Sequence, residues 1–99
     1  MLKELSYQEF KELKNGSRTY ILFFTADWCD SCKMAKQPLE ELQHIYDIYQ
    51  VNVETNSLIT TSCHIASVPT TIVVFGDRII AKESGYRSKE YYLNLLQNN

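Results

Sequence analysis

No apolar run in this 99-residue chain approaches the roughly 20 residues that a membrane-spanning helix needs. The opening residues, Met1-Leu2-Lys3-Glu4-Leu5-Ser6, interrupt any apolar stretch with charge, so no secretory leader is expected there. An excess of one charge is missing too. Ten Lys and Arg stand against 12 Asp and Glu, a formal net charge of −2, which gives no electrostatic footprint for nucleic acid or an anionic membrane surface. Cysteine is scarce: three residues form an odd set, too few for a disulfide scaffold. That usage points to the cytoplasm, where paired cysteines are usually catalytic or metal-binding. Repeats, linkers and low-complexity tracts do not occur. What is present, 44 % hydrophobic and 12 % aromatic residues, suits one folded domain spanning residues 1–99.

The chemistry is concentrated in Trp28-Cys29-Asp30-Ser31-Cys32-Lys33. An apolar run, Tyr20-Ile21-Leu22-Phe23-Phe24, precedes it, and a pattern that puts Ala35, Leu39 and Leu42 on one helical face follows. A buried strand therefore delivers two cysteines to the start of a helix. With two residues between them, both sulfurs fall on one helical turn, where they can close a small disulfide ring. Unpaired N–H groups and the partial positive charge of the helix start stabilise a thiolate on the first cysteine. Cys29 is expected as the exposed nucleophile and Cys32 as the inward, resolving thiol.

The rest of the chain reads as alternating elements. Leu2 to Leu5 is a short first strand. Ser6 and Glu9 have capping-box spacing before a helix carrying Phe10 and Leu13, which stops at Asn15-Gly16. Thr19 to Thr25, apolar on both faces, is a central strand. The helix after the cysteines is expected from about Cys32 to about Gln43, kinked at Pro38. Tyr49, Val51 and Val53 alternate with polar residues as a strand, and Asn56-Ser57 opens a short helix to about Cys63. Thr70 to Phe75 and Arg78 to Lys82 flank Gly76-Asp77 as an antiparallel hairpin. Gly85 marks a bulge or bend, and Ser88 caps a last helix with Tyr92, Leu95 and Leu96 inward.

This order, with the cysteine pair after the second strand, resembles the thioredoxin family over nearly the whole chain, from about Leu2 to Leu96. Three local matches carry the resemblance. Ala26 to Met34 is similar to the family's active-site segment, including the tryptophan before the first cysteine. Ile65-Ala66-Ser67-Val68-Pro69-Thr70 is similar to its cis-proline segment, and Gly85 to its glycine before the last helix. The resemblance implies an α/β thioredoxin fold, a central mixed β-sheet flanked by helices. It implies a thiol–disulfide oxidoreductase that exchanges electrons with protein or small-molecule disulfides through Cys29 and Cys32. Substrate would be met by Trp28, Val68 and Pro69, with a cis Val68–Pro69 bond. No bound cofactor is implied; a thiol reductase or low-molecular-weight thiol supplies electrons to a monomer.

Four departures accompany the match. Asp30-Ser31 replaces the Gly-Pro that thioredoxins carry between their cysteines. Phe23 stands where the family has a buried acid that helps take the proton from the resolving cysteine, and Gln50 where that acid has a lysine partner. Pro38 is one position later than the family's helix proline. The expectation is a thioredoxin-like protein in which water or Asp27 replaces the missing base.

Two rivals belong to other classes. One is a redox-inert interaction module on the same fold. The other is a zinc or iron–sulfur site using the same cysteines, which lacks a second ligand pair because only His44, Cys63 and His64 remain. Cys63 reads as an inert buried thiol, and both histidines as surface residues.

Overall fold

The computed structural model describes residues 1–98. Nine elements follow the expected order: β1 (Lys3–Glu4), α1 (Tyr7–Lys14), β2 (Thr19–Thr25), α2 (Asp30–Leu42), β3 (Ile48–Asn52), α3 (Ser57–Ser62), β4 (Thr70–Phe75), β5 (Arg78–Ser84) and α4 (Lys89–Gln97). The strands form one mixed sheet in the order β1-β3-β2-β4-β5. β1, β3 and β2 run parallel, whereas β4 is antiparallel to both β2 and β5.

Local chemistry sets the element ends. The Ser6 hydroxyl accepts from the Glu9 N–H while the Glu9 carboxylate accepts from the Ser6 N–H, a complete capping box. The Ser88 hydroxyl accepts from the Tyr91 N–H and starts α4. Gly76 turns the β4–β5 hairpin at φ +61°. A Cβ there would lie 2.8 Å from the Gly16 carbonyl oxygen, so both the turn and the close approach require glycine.

β2 is buried on both faces from Tyr20 to Phe24, and this splits the interior into two cores. Ile21 and Phe23 point to one face, with Cys29, Cys32, Ala35, Leu39, Leu42 and Tyr92 from α2 and α4. Tyr20, Leu22 and Phe24 point to the other, with Phe10, Ile59 and Cys63 on the side of α1 and α3. The period-2 alternation of a strand produces this division.

Three details go beyond the sequence reading. α2 begins at Asp30, two residues before the expected Cys32, because Cys29 itself occupies the N-cap position and Asp30 supplies an acid to the first turn. β5 continues to Ser84, beyond Lys82, since it stays paired with β4 as far as Thr70. An irregularity in that pairing falls between Val73 and Val74, where no glycine stands. Gly85 bends the chain at φ +80°, as expected, while its N–H donates to the Pro69 carbonyl at 2.9 Å. Tyr92, Leu95 and Leu96 pack inward as expected, Tyr92 fully buried and both leucines half-buried against the same core.

Candidate active site

The strand-to-helix turn between β2 and α2 places both cysteines. Cys29 is the N-cap of α2 with extended backbone, and its carbonyl accepts from the Cys32 N–H at 3.3 Å. Cys29 and Cys32 are joined as a disulfide, with their Cα atoms 5.4 Å apart. The sulfurs therefore sit at the positive end of the helix macrodipole, the position that favours a thiolate once the bond is reduced. The Ser31 hydroxyl lies 3.5 Å from the Cys29 sulfur. The sequence marks Ser31 as a departure between the cysteines but not its approach to the Cys29 sulfur.

The expected contrast between an exposed and an inward cysteine is small in this oxidised form. Cys29 keeps 6 % of its surface accessible and Cys32 keeps 3 %. Cys29 is thus buried rather than exposed, because both sulfurs cap the core that contains Phe23. Trp28 is the exposed neighbour, at 66 %.

Beside Trp28 lies an open groove of about 220 Å³, walled by Trp28, Val53, Ile65, Ala66 and Val68. Its lining is mostly apolar side chain. The Val68–Pro69 bond is cis, as the resemblance implied, and Pro69 is buried. No hydrogen bond to the Val68 backbone is found among the described residues, so its peptide groups are open to an extended chain.

A second cavity, of about 190 Å³, opens directly on both cysteines and is polar. Its walls include Glu4 from β1, Asp27, Lys33 and Lys36, and Gln50 and Asn52 from β3. Asn52 Nδ2 donates to Asp27 at 3.1 Å, and Gln50 Nε2 donates to Glu4 at 2.7 Å. Sequence reading missed Glu4, which shows only as an isolated charge near the chain start.

Phe23 lies fully buried below the pair, as expected. In the sheet register it is flanked by Gln50 on β3 and Thr71 on β4. The Gln50 Oε1, Thr71 hydroxyl and Tyr92 hydroxyl are buried without a hydrogen-bond partner. The row under the cysteines thus keeps its polar flanks although its centre is a ring. Burial raises the Tyr92 phenol above its ordinary range, so it is a protonated group at neutral pH.

Cys63 lies on the opposite face of the sheet from the pair, in the core with Phe10 and Ile59. Burial pushes its thiol up to about 11, against weaker opposing effects of Lys14 and Lys82. It cannot join Cys29 and Cys32 around one ion, since the sheet separates them. Among the described residues no three His, Cys, Asp or Glu side chains converge as a metal site. His44 and His64 are exposed, the latter at a positive φ of 56°. No helix among the described residues is long and apolar enough to cross a membrane.

A dithiol–disulfide pair at a helix start, set beside a cis-proline segment and on a mixed five-stranded sheet, defines a thiol–disulfide exchange centre. The chain matches the thioredoxin family profile over residues 1–98, and it belongs to that family. It is 29 % identical over 103 residues to the thioredoxin of Chlamydia pneumoniae, covering 100 % of this chain and 99 % of that one. It is 31 % identical over 90 residues to the thioredoxin of Staphylococcus aureus (strain Mu50), covering 87 % and 86 %. Among solved structures, the thioredoxin of Malassezia sympodialis superimposes with a TM-score of 0.85 at 23 % identity, covering 98 % of this chain and 90 % of that one. The thioredoxin of Trypanosoma brucei brucei gives 0.84 at 20 % identity, covering 99 % and 89 %. The fold is the thioredoxin fold. The protein is a thiol–disulfide oxidoreductase acting on disulfide substrates through its C-x-x-C pair.

Proposed function

We propose that Cys29 is the attacking thiolate and Cys32 the resolving thiol in reduction of protein disulfides. Cys29 attacks one substrate sulfur, expelling the other as a thiolate and forming a mixed disulfide. Cys32 then attacks the Cys29 sulfur, closing the intramolecular disulfide and releasing the second substrate sulfur. The reading rests on one observation: Cys29 is the N-cap of α2, whereas Cys32 is inside the helix and more deeply buried. The N-cap sulfur feels the helix dipole most directly and is nearest to solvent.

Trp28, Val68 and Pro69 form the substrate surface in this reading. The apolar groove between Trp28 and Val68 takes side chains flanking the substrate disulfide, and the Val68 peptide pairs with its backbone. A thiol reductase or a low-molecular-weight thiol returns the electrons. The chain works as a single-domain monomer in the cytoplasm, in keeping with a mildly acidic surface and few cysteines.

The test is capture. A Cys32→Ser variant incubated with disulfide-bonded proteins is expected to accumulate mixed disulfides through Cys29, and Cys29→Ser to accumulate none. Absence of any Cys29 adduct, or alkylation of Cys32 before Cys29 in the reduced protein, overturns the assignment.

A further inference from the structure

Resolution of the mixed disulfide requires Cys32 to lose a proton, and the residue beneath it, Phe23, cannot accept one. The hydroxyls of Thr71, beside Phe23 in the sheet, and of Tyr92, from α4 in the same core, are donors held neutral at physiological pH. The Glu83 carboxylate, at the far end of the same row, is occupied by the Tyr91 hydroxyl and by Arg87. The near end of the row is different. Glu4 pairs with Gln50, and Gln50 with Phe23, so all three side chains stand on the face that carries the cysteines.

We propose that Glu4 is the proton acceptor for Cys32, reached through solvent in the 190 Å³ cavity, with Gln50 as the residue that positions it. Three observations support this role. Cys32 and Glu4 wall the same polar cavity, whose volume accommodates several waters. The Gln50 amide donates to Glu4 at 2.7 Å, which fixes the carboxylate at the cavity edge. The other end of that amide, Oε1, is buried without a partner and is left to accept from a water or from the Cys32 thiol. The other charged groups facing the cavity are Asp27, Lys33 and Lys36. Asp27 is the rival acceptor, but its partner Asn52 lies two residues along β3 from the row that contains Phe23. The lysines are cations and favour the thiolate that proton loss creates.

The step balances as follows. The Cys32 S–H proton passes through water to the Glu4 carboxylate. The Cys32 thiolate attacks Cys29, forming the Cys29–Cys32 bond and breaking the bond from Cys29 to substrate. The electron pair leaves on the substrate sulfur, which takes a proton from solvent or from the Glu4 acid. Substrate is reduced and the cysteine pair oxidised.

The inference rests on Cys32 being the resolving thiol, and the experiment separates the two. A Cys29 mixed disulfide with a chromogenic thiol is preformed in the parent, Glu4→Gln, Glu4→Asp, Gln50→Leu and Asp27→Asn, and release is followed against pH. Glu4→Gln is expected to slow release at pH 7 by on the order of tenfold or more, within what a general base contributes. The deficit should shrink as pH rises and hydroxide replaces the missing base. Glu4→Asp should restore part of the rate, and Gln50→Leu should reproduce part of the loss. The loss in release should exceed any change in the rate of initial attack by Cys29, a split that a merely structural defect would not produce. Parent-like release in Glu4→Gln, a loss that is equal at every pH, or a loss seen in Asp27→Asn instead overturns the role of Glu4 and leaves the cysteine assignment standing. Failure to form any Cys29 mixed disulfide overturns both.

Discussion

Phe23 of β2 stands directly beside Gln50 of β3 in the parallel register, so an aromatic ring and an amide occupy the sheet row beneath the cysteine pair. In the thioredoxins that the sequence resembles, this row carries an acid and a lysine. The exchange removes a charged pair from the interior row, while the polar cavity beside it still opens on both cysteines. In the proposed mechanism, proton removal from Cys32 then depends on the groups that line that cavity.

Cys63 tests how strictly the two faces of the sheet are separated. With the active-site pair oxidised, its thiol should resist alkylation at pH 8 in the folded protein and react in denaturant, as read by mass spectrometry. Its folded value, about 11, lies above the ordinary 9.0. Its contribution to stability is therefore intact below pH 9 and lost as pH rises toward 11, because the unfolded chain releases the proton first. Tyr20, raised from 10.0 to about 12 by burial, extends the same loss to higher pH. Cys63→Ala should remove the lower part of this alkaline loss and leave disulfide reduction unchanged. Rapid labelling of native Cys63 at pH 8 would contradict its burial.

At the opposite end of the pH scale, Glu9 is lowered from 4.5 to about 2, first by its hydrogen bond from Lys3 and then by the Ser6 N–H and hydroxyl. A lowered carboxyl contributes stability above pH 4.5, and that contribution disappears as pH falls toward 2. Glu9→Gln should accordingly be less stable than the parent at neutral pH and should approach it in acid. Chemical denaturation at pH 7 and at pH 2 measures the difference; an equal gap at both would mean that the capping carboxylate is not the source.

Gly76 and Gly85 both adopt positive φ, yet they should tolerate alanine differently. A Cβ on Gly85 meets nothing within 4 Å, so Gly85→Ala should cost only the backbone penalty of about 1–2 kcal/mol. At Gly76 the same penalty adds to a 2.8 Å clash with the Gly16 backbone, and the hairpin or the α1 terminus must shift. Urea unfolding should rank Gly76→Ala clearly below Gly85→Ala. The reverse order would show that the hairpin does not pack against the end of α1.

Much of this was legible in the sequence because the signals were local. Ser6 and Glu9 specify a cap by spacing alone, and the apolar run from Tyr20 to Phe24 specifies a strand covered on both sides. The cysteine spacing, the preceding Trp28 and the Val68-Pro69-Thr70 segment pointed to the family and to its cysteine pair. Glu4 was not legible, since a charge on a two-residue edge strand looks like a solvated side chain until the register of β1 on β3 sets it beside Gln50. The burial of Cys29 was also hidden. A place at the start of a helix suggests exposure, but the core under α2 closes over both sulfurs in the disulfide form. The irregularity between Val73 and Val74 has no glycine to announce it.

Trp28 should behave as an anchor for protein substrates rather than as a structural residue, because 66 % of its surface is accessible. Trp28→Ala should weaken exchange with a folded disulfide protein by roughly tenfold, about 1.4 kcal/mol in binding, the scale of an interface hot spot. Reaction with a small aromatic disulfide should change much less. Equal losses on both substrates would place the indole's effect on Cys29 itself rather than on substrate contact.

The most direct measurement concerns proton removal from Cys32 above Phe23. Phe23→Asp restores an acid at the centre of the row, at a stability cost on the order of 3–5 kcal/mol from the lost ring and more from the buried carboxyl. Single-turnover release of substrate from a preformed Cys29 mixed disulfide, followed from pH 5 to pH 9 in the folded fraction, compares this variant with the parent. Release should be faster in Phe23→Asp near neutral pH and should gain an acid-dependent limb that the parent lacks. Release no faster than in the parent would mean that proton loss from Cys32 does not limit resolution.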